Sequence, residues 1–436
     1  MSPSQACAAN SLLLSGDAGE TLANAEHWCG KGSTAGNFSV QVATSLQAVE
    51  ALQPHWKLWA DSPETDLDCY LHRLKTDPTI LQPYVMTVFE NGIPQGMLVG
   101  QIVKRRLSTT VFFVNIRGPE ATVLEVLRGG RMGLESCPID KLLALHLFHA
   151  TKSAGIDLLL LQRFPLQSGL FRELQQLPDL AIKPQVPHTF CYSALPLTAA
   201  LGRRAPVFSG KNRRETRRKL RILERAFPDK VAFKCFSAPG ESDIGMRDAA
   251  KVAVTSWQYF LGQDSLNTEQ TKNNLGFLAS RGWLRVYVMY ISRTPCAFLI
   301  GQTYKNTFYC QHAGYNPEFA RFSVGSLLTS WALDNLLSAG VQQVDLGEGR
   351  QEHNRRLGCR IQEEGGVHVY PPTWRGLQLG LFFAAAQMVR SVGRWTVTEL
   401  RLDRLSSTWS KFRIWRWKTR NGMGDISYEQ RICDKG

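Results

Sequence analysis

The 436-residue sequence has no uninterrupted apolar stretch of the about 18–20 residues that a helix needs to cross a bilayer. The best candidate, Leu377 to Val389, is shorter and carries Gln378 and Gln387. The ten cysteines are scattered from Cys7 to Cys433, with no C-x-x-C pair and no Cys/His cluster at zinc spacing. This argues against a disulfide framework or a structural metal and for a reducing compartment. No basic head precedes Ser11-Leu-Leu-Leu-Ser15, so the start does not read as a secretory signal. Residues 1–36 are rich in Ala, Gly and Ser and read as a loose tail. These absences point to a cytoplasmic, metal-free protein.

What is present is ordinary for a globular chain: 44% hydrophobic and 20% charged residues. The length favours two domains over one. The charge is unbalanced, with 51 Lys and Arg against 37 Asp and Glu, a net +14. It is also local. Arg203 to Arg225 holds ten basic and two acidic residues, and Ala386 to Arg420 holds nine and two. Those two segments account for the whole excess and imply anionic partners at particular places.

Phe38 to Val42 alternates like an edge strand, and Ser45 is placed to cap a helix running through Leu52 and Leu58. Tyr84–Phe89, the Asn91-Gly92 turn and Met97–Gly100 predict a hairpin. Asp140 opens a helix that Gly155 ends, and Asp157–Leu161 follows as a buried strand. The second half repeats this order. A helix is expected from about Met246 through Trp257 and Phe260, and a second after Asn267-Thr268. Leu284–Ile291 and Cys296–Gly301 form a hairpin, Thr307–Tyr315 a further strand, Gly325–Ala339 a helix stopped by Gly340, and Val344–Gly347 a short buried strand. The fold class is α/β, two copies of one unit with a mixed sheet flanked by helices. The expected division is a tail over 1–36, domains over 38–200 and 205–370, and a basic, Trp-rich helical tail over 371–436.

The informative stretch runs from Ala313 to Gly358. A strand ending at Gly314-Tyr315 passes through Asn316-Pro317 into Arg321-Phe-Ser-Val-Gly-Ser326, which opens a helix. First-turn amides have no intrahelical partner and carry partial positive charge, so they can hold a pyrophosphate. Ser323 is the candidate N-cap, and Gly325 allows close backbone approach. Ordinary helix capping explains the same residues without a ligand.

In this stretch the chain resembles the cellulose-biosynthesis acetyltransferase-like family of the GNAT superfamily. The matching residues are Ala313-Gly-Tyr-Asn-Pro317, Ser323-Val-Gly325 with Leu327-Leu328, Ala339-Gly340 and Asp345-Leu-Gly-Glu-Gly349, preceded by the basic run Arg213 to Arg221. Weaker likeness reaches back to Phe38. Members are similar to Fem-type peptidoglycan transferases, with two GNAT-type domains in tandem. The resemblance implies acyl transfer from acetyl-CoA or another acyl-CoA to a hydroxyl or amine on a sugar, polysaccharide precursor or related small molecule. It implies that pantetheine pairs with the edge of a strand splayed from its neighbour, here Thr307–Tyr315 and Val344–Leu346. The pyrophosphate would lie on Ser323, Val324, Gly325 and Ser326, with Arg321 as a further phosphate contact. Two departures stand out: Val324 replaces the family's usual proline, and His353-Asn354 replaces a Tyr-Lys pair, which removes a cation from the site.

Tyr315, at the end of the splayed strand, and His312, Glu348 and His353 are the candidate catalytic residues. The last three are the candidate bases, since histidine or a buried carboxylate takes a proton near neutral pH. Each also has a bland reading, as a core histidine, an ion-paired carboxylate and an exposed histidine. The run Lys211–Arg225 reads as a solvated linker helix or as a contact for phosphates, including tRNA if the donor is an aminoacyl-tRNA. The Trp/Arg tail from Arg390 to Arg420 reads as packing over the second domain or as a peripheral contact with an anionic membrane face. A catalytically silent scaffold at the membrane is the reading from a different class.

Overall fold

A computed structural model of the chain describes residues 38–111, 114–153, 155–177, 184–197, 210–256, 266, 268–348 and 359–399. The expected tail over 1–36, Trp257 and Phe260, His353-Asn354, and the Trp409–Trp417 part of the basic tail lie outside these residues.

The first half opens with β1 (Phe38–Ala43) and α1 (Leu46–Ala51), where the Ser45 hydroxyl accepts the Ala48 amide at 3.2 Å. Proline is accepted only in a first helical turn, so Pro54 splits the single expected helix and begins α2 (Gln53–Trp59). Asp66 caps α3 (Leu67–Thr76) by accepting the Asp68 and Cys69 amides. The hairpin of β2 (Ile80–Glu90) and β3 (Ile93–Val111) turns at Asn91-Gly92, with φ of 52° and 80°, as expected. Then follow β4 (Val114–Gly133), α4 (Cys137–Ser153), β5 (Leu158–Pro165), α5 (Gly169–Gln175) and β6 (Gln185–Pro196). Helix α4 begins before Asp140 because Pro138 suits the first turn.

The second half runs α6 (Gly210–Ala226), β7 (Val231–Phe236), α7 (Pro239–Ala253), α8 (Glu269–Ser280), β8 (Leu284–Ile291), β9 (Thr294–Tyr304) and β10 (Thr307–Tyr315). It continues with α9 (Val324–Ser338), β11 (Gln343–Glu348) and β12 (Arg360–Val369), and α10 (Trp374–Glu399) closes the described chain. No helix among the described residues is long and apolar enough to cross a membrane.

The twelve strands among the described residues belong to one mixed sheet, ordered β1-β2-β3-β4-β5-β12-β6-β11-β10-β9-β8-β7. Among the described residues only β4/β5 and β10/β11 are parallel. With β7–β12 taken as repeats of β1–β6, the order reads the same from either edge. The centre is an exchange: β12 pairs with β5 of the first half, and β6 pairs with β11 of the second. The repeat reaches single residues. Parallel pairing ends at Val126/Leu161 in one half and at Tyr309/Asp345 in the other. Two residues further on, Arg163 and Gly347 both take positive φ, 44° and 62°.

Both faces of each half are covered. In β2, Met86 and Val88 face the core under α4 and α5, while Val85 faces the core under α1–α3 with Trp56 and Tyr70. In β8, Tyr287 and Met289 join α9, and Val286 and Val288 join α7 and α8. Burial on both faces explains why these strands read as nearly unbroken apolar runs. The halves are also tied on one face of the sheet. His72 stacks on Phe277 at 4.2 Å, Arg281 pairs with Asp68 at 2.6 Å, and the Tyr304 hydroxyl donates to Asp66 at 3.1 Å.

At the centre Arg128 of β4, only 16% exposed, reaches Asp345 at 3.2 Å and Glu364 at 3.2 Å. Burial raises the Glu364 carboxyl above its ordinary range, opposed by the attraction of Arg128. A carboxyl raised in the folded state favours the fold at low pH, and this contribution is lost as pH rises through the folded-state value. Arg128→Met is expected to cost about 3 kcal/mol, because it leaves two buried carboxylates without their cation. Denaturant melts should show a larger deficit at about pH 8 than at about pH 5, since Glu364 shifts further upward.

Candidate active site

The second half contains a V-shaped opening between β10 and β11. The two strands pair only from Thr307/Gln343 to Tyr309/Asp345. Beyond that point β10 bulges between Cys310 and His312 against β9, where Gly301 backs directly onto the Tyr309 carbonyl. On the other side Gly347 adopts its left-handed turn while its amide donates to the Asp345 carboxylate at 2.6 Å. A bulge on one strand and a turn on the other drive them apart. The edge of β10 from Cys310 to Tyr315 that faces β11 makes no ladder pairing among the described residues. Strand edges of this kind accept an extended, amide-bearing partner.

Helix α9 heads into the same opening. A short 3₁₀ turn, Pro317–Phe322, capped by Asn316, leads to Ser323. Ser323 occupies the N-cap position as expected, but in a left-handed conformation (φ 57°, ψ 39°), and its hydroxyl caps nothing. The expected side-chain cap is therefore corrected, because the preceding turn swings the Ser323 side chain away from the helix amides. The first intrahelical bond runs from the Leu327 amide to the Ser323 carbonyl, so the amides of Val324, Gly325 and Ser326 precede any helical acceptor. No acidic residue lies in this first turn. Val324 is buried, Gly325 half-buried and Ser326 exposed. The Tyr315 ring lies over Gly325: a β-carbon there would sit 3.3 Å from Tyr315 Cδ1. Arg321 is exposed just ahead of the helix, with its guanidinium 4.7 Å from the Phe322 ring.

The equivalent helix head in the first half differs. Helix α4 has Pro138, which has no N–H, and Asp140 in its first turn. Asp140 is buried and pairs with Arg131 at 2.7 Å. That helix dipole is already met by the protein's own carboxylate. Of these two helix heads, the α9 head is the one without a carboxylate in its first turn.

The first-half opening instead holds a cavity of about 260 Å³. Arg128, Gly129 and Arg131 of β4, Arg163 and Phe164 of β5, and Asp61 and Glu64 from the loop before α3 line it, together with Tyr309 and Glu364 from the second half. The cavity is not in the α9 opening, though Tyr309, which lines it, is the last β10 residue paired with β11 before that opening. Burial, then Glu64 and Asp345, push the Tyr309 phenol upward, so it stays protonated. Sequence reasoning missed this cavity. The Arg128-Gly-Gly-Arg131 run marks the bulge that opens it, but the second-half residues reach it only through the strand exchange.

Among the candidate catalytic residues, His312 lies just past the β10 bulge, half-buried, and burial lowers its pKa, which keeps it neutral and able to accept a proton near pH 7. Tyr315 ends the same strand. Glu348 ends β11 opposite Tyr192 of β6, and His353 lies outside the described residues. Burial raises Cys310 to about 12, so it remains a thiol rather than a nucleophilic thiolate. No cluster of metal-ligating side chains occurs among the described residues.

Splayed parallel strands with a helix head at the opening, present twice, define tandem GNAT-like domains. A family model described as an acetyltransferase (GNAT) domain matches residues 210–355, the half that carries the open helix head. Among solved structures the chain is similar to FemX, at 10% identity over 66% of this chain and 88% of that one, with a TM-score of 0.46. It is similar to L-PGS from Bacillus licheniformis, at 12% identity over 79% and 96%, TM-score 0.44. A tandem GNAT protein from the clavulanic acid biosynthesis pathway matches at 11% identity over 76% and 98%, TM-score 0.41. Among curated protein sequences, none matches this chain.

The turn at Gly347 gives a direct test of the splay. A β-carbon there would meet nothing nearer than the Cys310 carbonyl oxygen at 3.8 Å, so the cost of Gly347→Ala is backbone strain alone. Chemical denaturation should show a loss of about 1 kcal/mol.

Proposed function

We propose that the protein is an acyltransferase that moves an acyl group from an acyl-CoA, acetyl-CoA being the simplest, to a hydroxyl or amine. The observation that carries this reading is the open, acid-free head of α9 beside the unpaired edge of β10. The amides of Val324, Gly325 and Ser326 receive the donor's pyrophosphate, with Arg321 beside them, and the β10 edge pairs with the amides of the pantetheine arm. A backbone N–H at the end of that edge polarises the thioester carbonyl as charge develops on it. The acceptor heteroatom attacks the carbonyl carbon, its proton passes to a base, and the C–S bond breaks to release a thiolate that takes up that proton. His312 is the base best supported, being neutral and on the splayed segment; Glu348 and His353 remain candidates.

The cavity across Tyr309 receives the acceptor. Its size suits one sugar-sized group rather than a polymer. Its lining of guanidinium and carboxylate groups offers the hydrogen bonds that a polyhydroxylated or amino-bearing acceptor needs. The finer assignment, to a sugar or polysaccharide precursor in the cytoplasm, rests on the motif resemblance in Ala313–Gly349. One observation favours a second donor. Leu223 buries α6 against the α9 layer, while Arg214, Arg217, Arg218 and Arg221 remain exposed, a cationic face that suits the phosphates of aminoacyl-tRNA. Binding of charged tRNA with a steep salt dependence, and none of acyl-CoA, would establish that alternative.

Isothermal titration with acetyl-CoA should give saturable binding, and no binding of short or long acyl-CoAs would sink the thioester reading. Ser326→Asp separates the helix from its ligand. A carboxylate in the first turn stabilises α9 by about 0.5 kcal/mol, yet it should weaken donor binding by about tenfold or more. If His312 is the base, His312→Gln should lower kcat about 100-fold and abolish an acidic limb lying below the ordinary histidine value of about 6.5. An unchanged pH profile would pass the role to Glu348 or His353.

A further inference from the structure

Helix α10 is apolar on both sides, which a surface helix of a water-facing protein is not. Its inner side is fully used: Leu379, Phe383 and Ala386 are buried, and the first two join Val103, Leu107, Val123 and Tyr370 in one core. Its first turn is held by Arg375, paired with Asp157 at 3.5 Å. Its outer side carries Trp374, Leu381 and Met388, which are 73%, 60% and 70% exposed, with Val389 at 50%. These positions follow a spacing of seven and share one face of the helix. Between Arg375 and Arg390 the sequence contains no charged residue. The exposed Gln378 interrupts this face without charging it, and large apolar side chains left in water in this way mark an interaction surface.

Three observations choose the occupant. The stripe from Trp374 to Met388 is about 21 Å long at 1.5 Å per residue, and its helix is bound to the sheet along the opposite face. It is therefore shaped to lie along an apolar boundary and not to cross one. In the sequence Arg375 directly follows Trp374 at the start of the stripe, Arg390 and Arg394 come after it, and Ala386 to Arg420 holds nine basic and two acidic residues. That surplus attracts an anionic surface and repels a second copy of this chain, which would bring the same charge. Tryptophan at the edge of the stripe suits a lipid headgroup boundary. We infer that the outer face of α10 docks on an anionic lipid surface, with Trp374, Leu381 and Met388 seated among the headgroups and the basic surplus of the sequence drawn to the lipid phosphates.

The test uses the full chain with vesicles of mixed phosphatidylglycerol and phosphatidylcholine, against vesicles of phosphatidylcholine alone. Sedimentation should show binding to the first set that falls with added salt, and little to the second. Both Leu381→Ser/Met388→Ser, which leaves the charge unchanged, and Leu381→Glu/Met388→Glu should reduce binding by about tenfold or more. The positions are exposed, so both variants should melt at the wild-type temperature. Failure of the wild type to bind anionic vesicles, equal binding to neutral ones, or full binding by the serine variant overturns the proposal. So does a concentration-dependent dimer in sedimentation equilibrium that both variants abolish, which would make a second copy the occupant.

Discussion

Neither half of this protein completes its own sheet. β12, made last among the strands, lies beside β5, and β6 lies beside β11, so each half supplies the strand that saturates the other's central edge. A buried parallel strand with an open edge leaves amides and carbonyls unpaired at a cost of about 1–3 kcal/mol each. The exchange removes that cost for both halves at once and makes them thermodynamically one body. The Arg128–Asp345–Glu364 cluster sits on this junction, one cation from the first half against two carboxylates from the second. The motif aspartate Asp345, which also holds the Gly347 turn, is thereby a structural residue that shapes the opening.

Duplication produced two similar openings with different chemistry. The backbone devices are the same, with pairing that ends at matched residues and a positive φ two positions later. The helix heads are not. Pro138 and Asp140 close one electrostatically, while Val324-Gly325-Ser326 leaves the other free. A few first-turn residues thus decide which opening attracts an anion, and the other becomes a cavity of mixed charge at the junction.

Much of the fold was legible in the sequence because its strongest signals are local. Asn91-Gly92 predicts its hairpin, Thr268 its helix, and Gly340 the end of α9, each by a conformation that the residue type favours. Pro54 and Pro138 moved helix boundaries for equally local reasons. The exchange of β6 and β12 was not legible, because pairing between residues as far apart as Gln343 and Pro196, or Val369 and Leu159, leaves no mark on periodicity. The same gap hid the cavity, whose walls meet only through that pairing. At the candidate site, Ser323 was placed correctly but for the wrong reason. Its type predicts a cap, whereas its neighbours force it left-handed, which leaves the α9 amides unclaimed by their own chain.

The position of β12 also bears on how the polypeptide matures. During synthesis the first half emerges with β5 lacking the neighbour it will have, because that neighbour, Arg360–Val369, is made only after β7 to β11. The nascent chain must keep a hydrophobic strand edge from pairing wrongly for most of its translation, and its decisive contacts span long sequence separations, which slows folding. Truncation before Arg360 would leave that edge without its partner strand. The molecule is committed to being made whole.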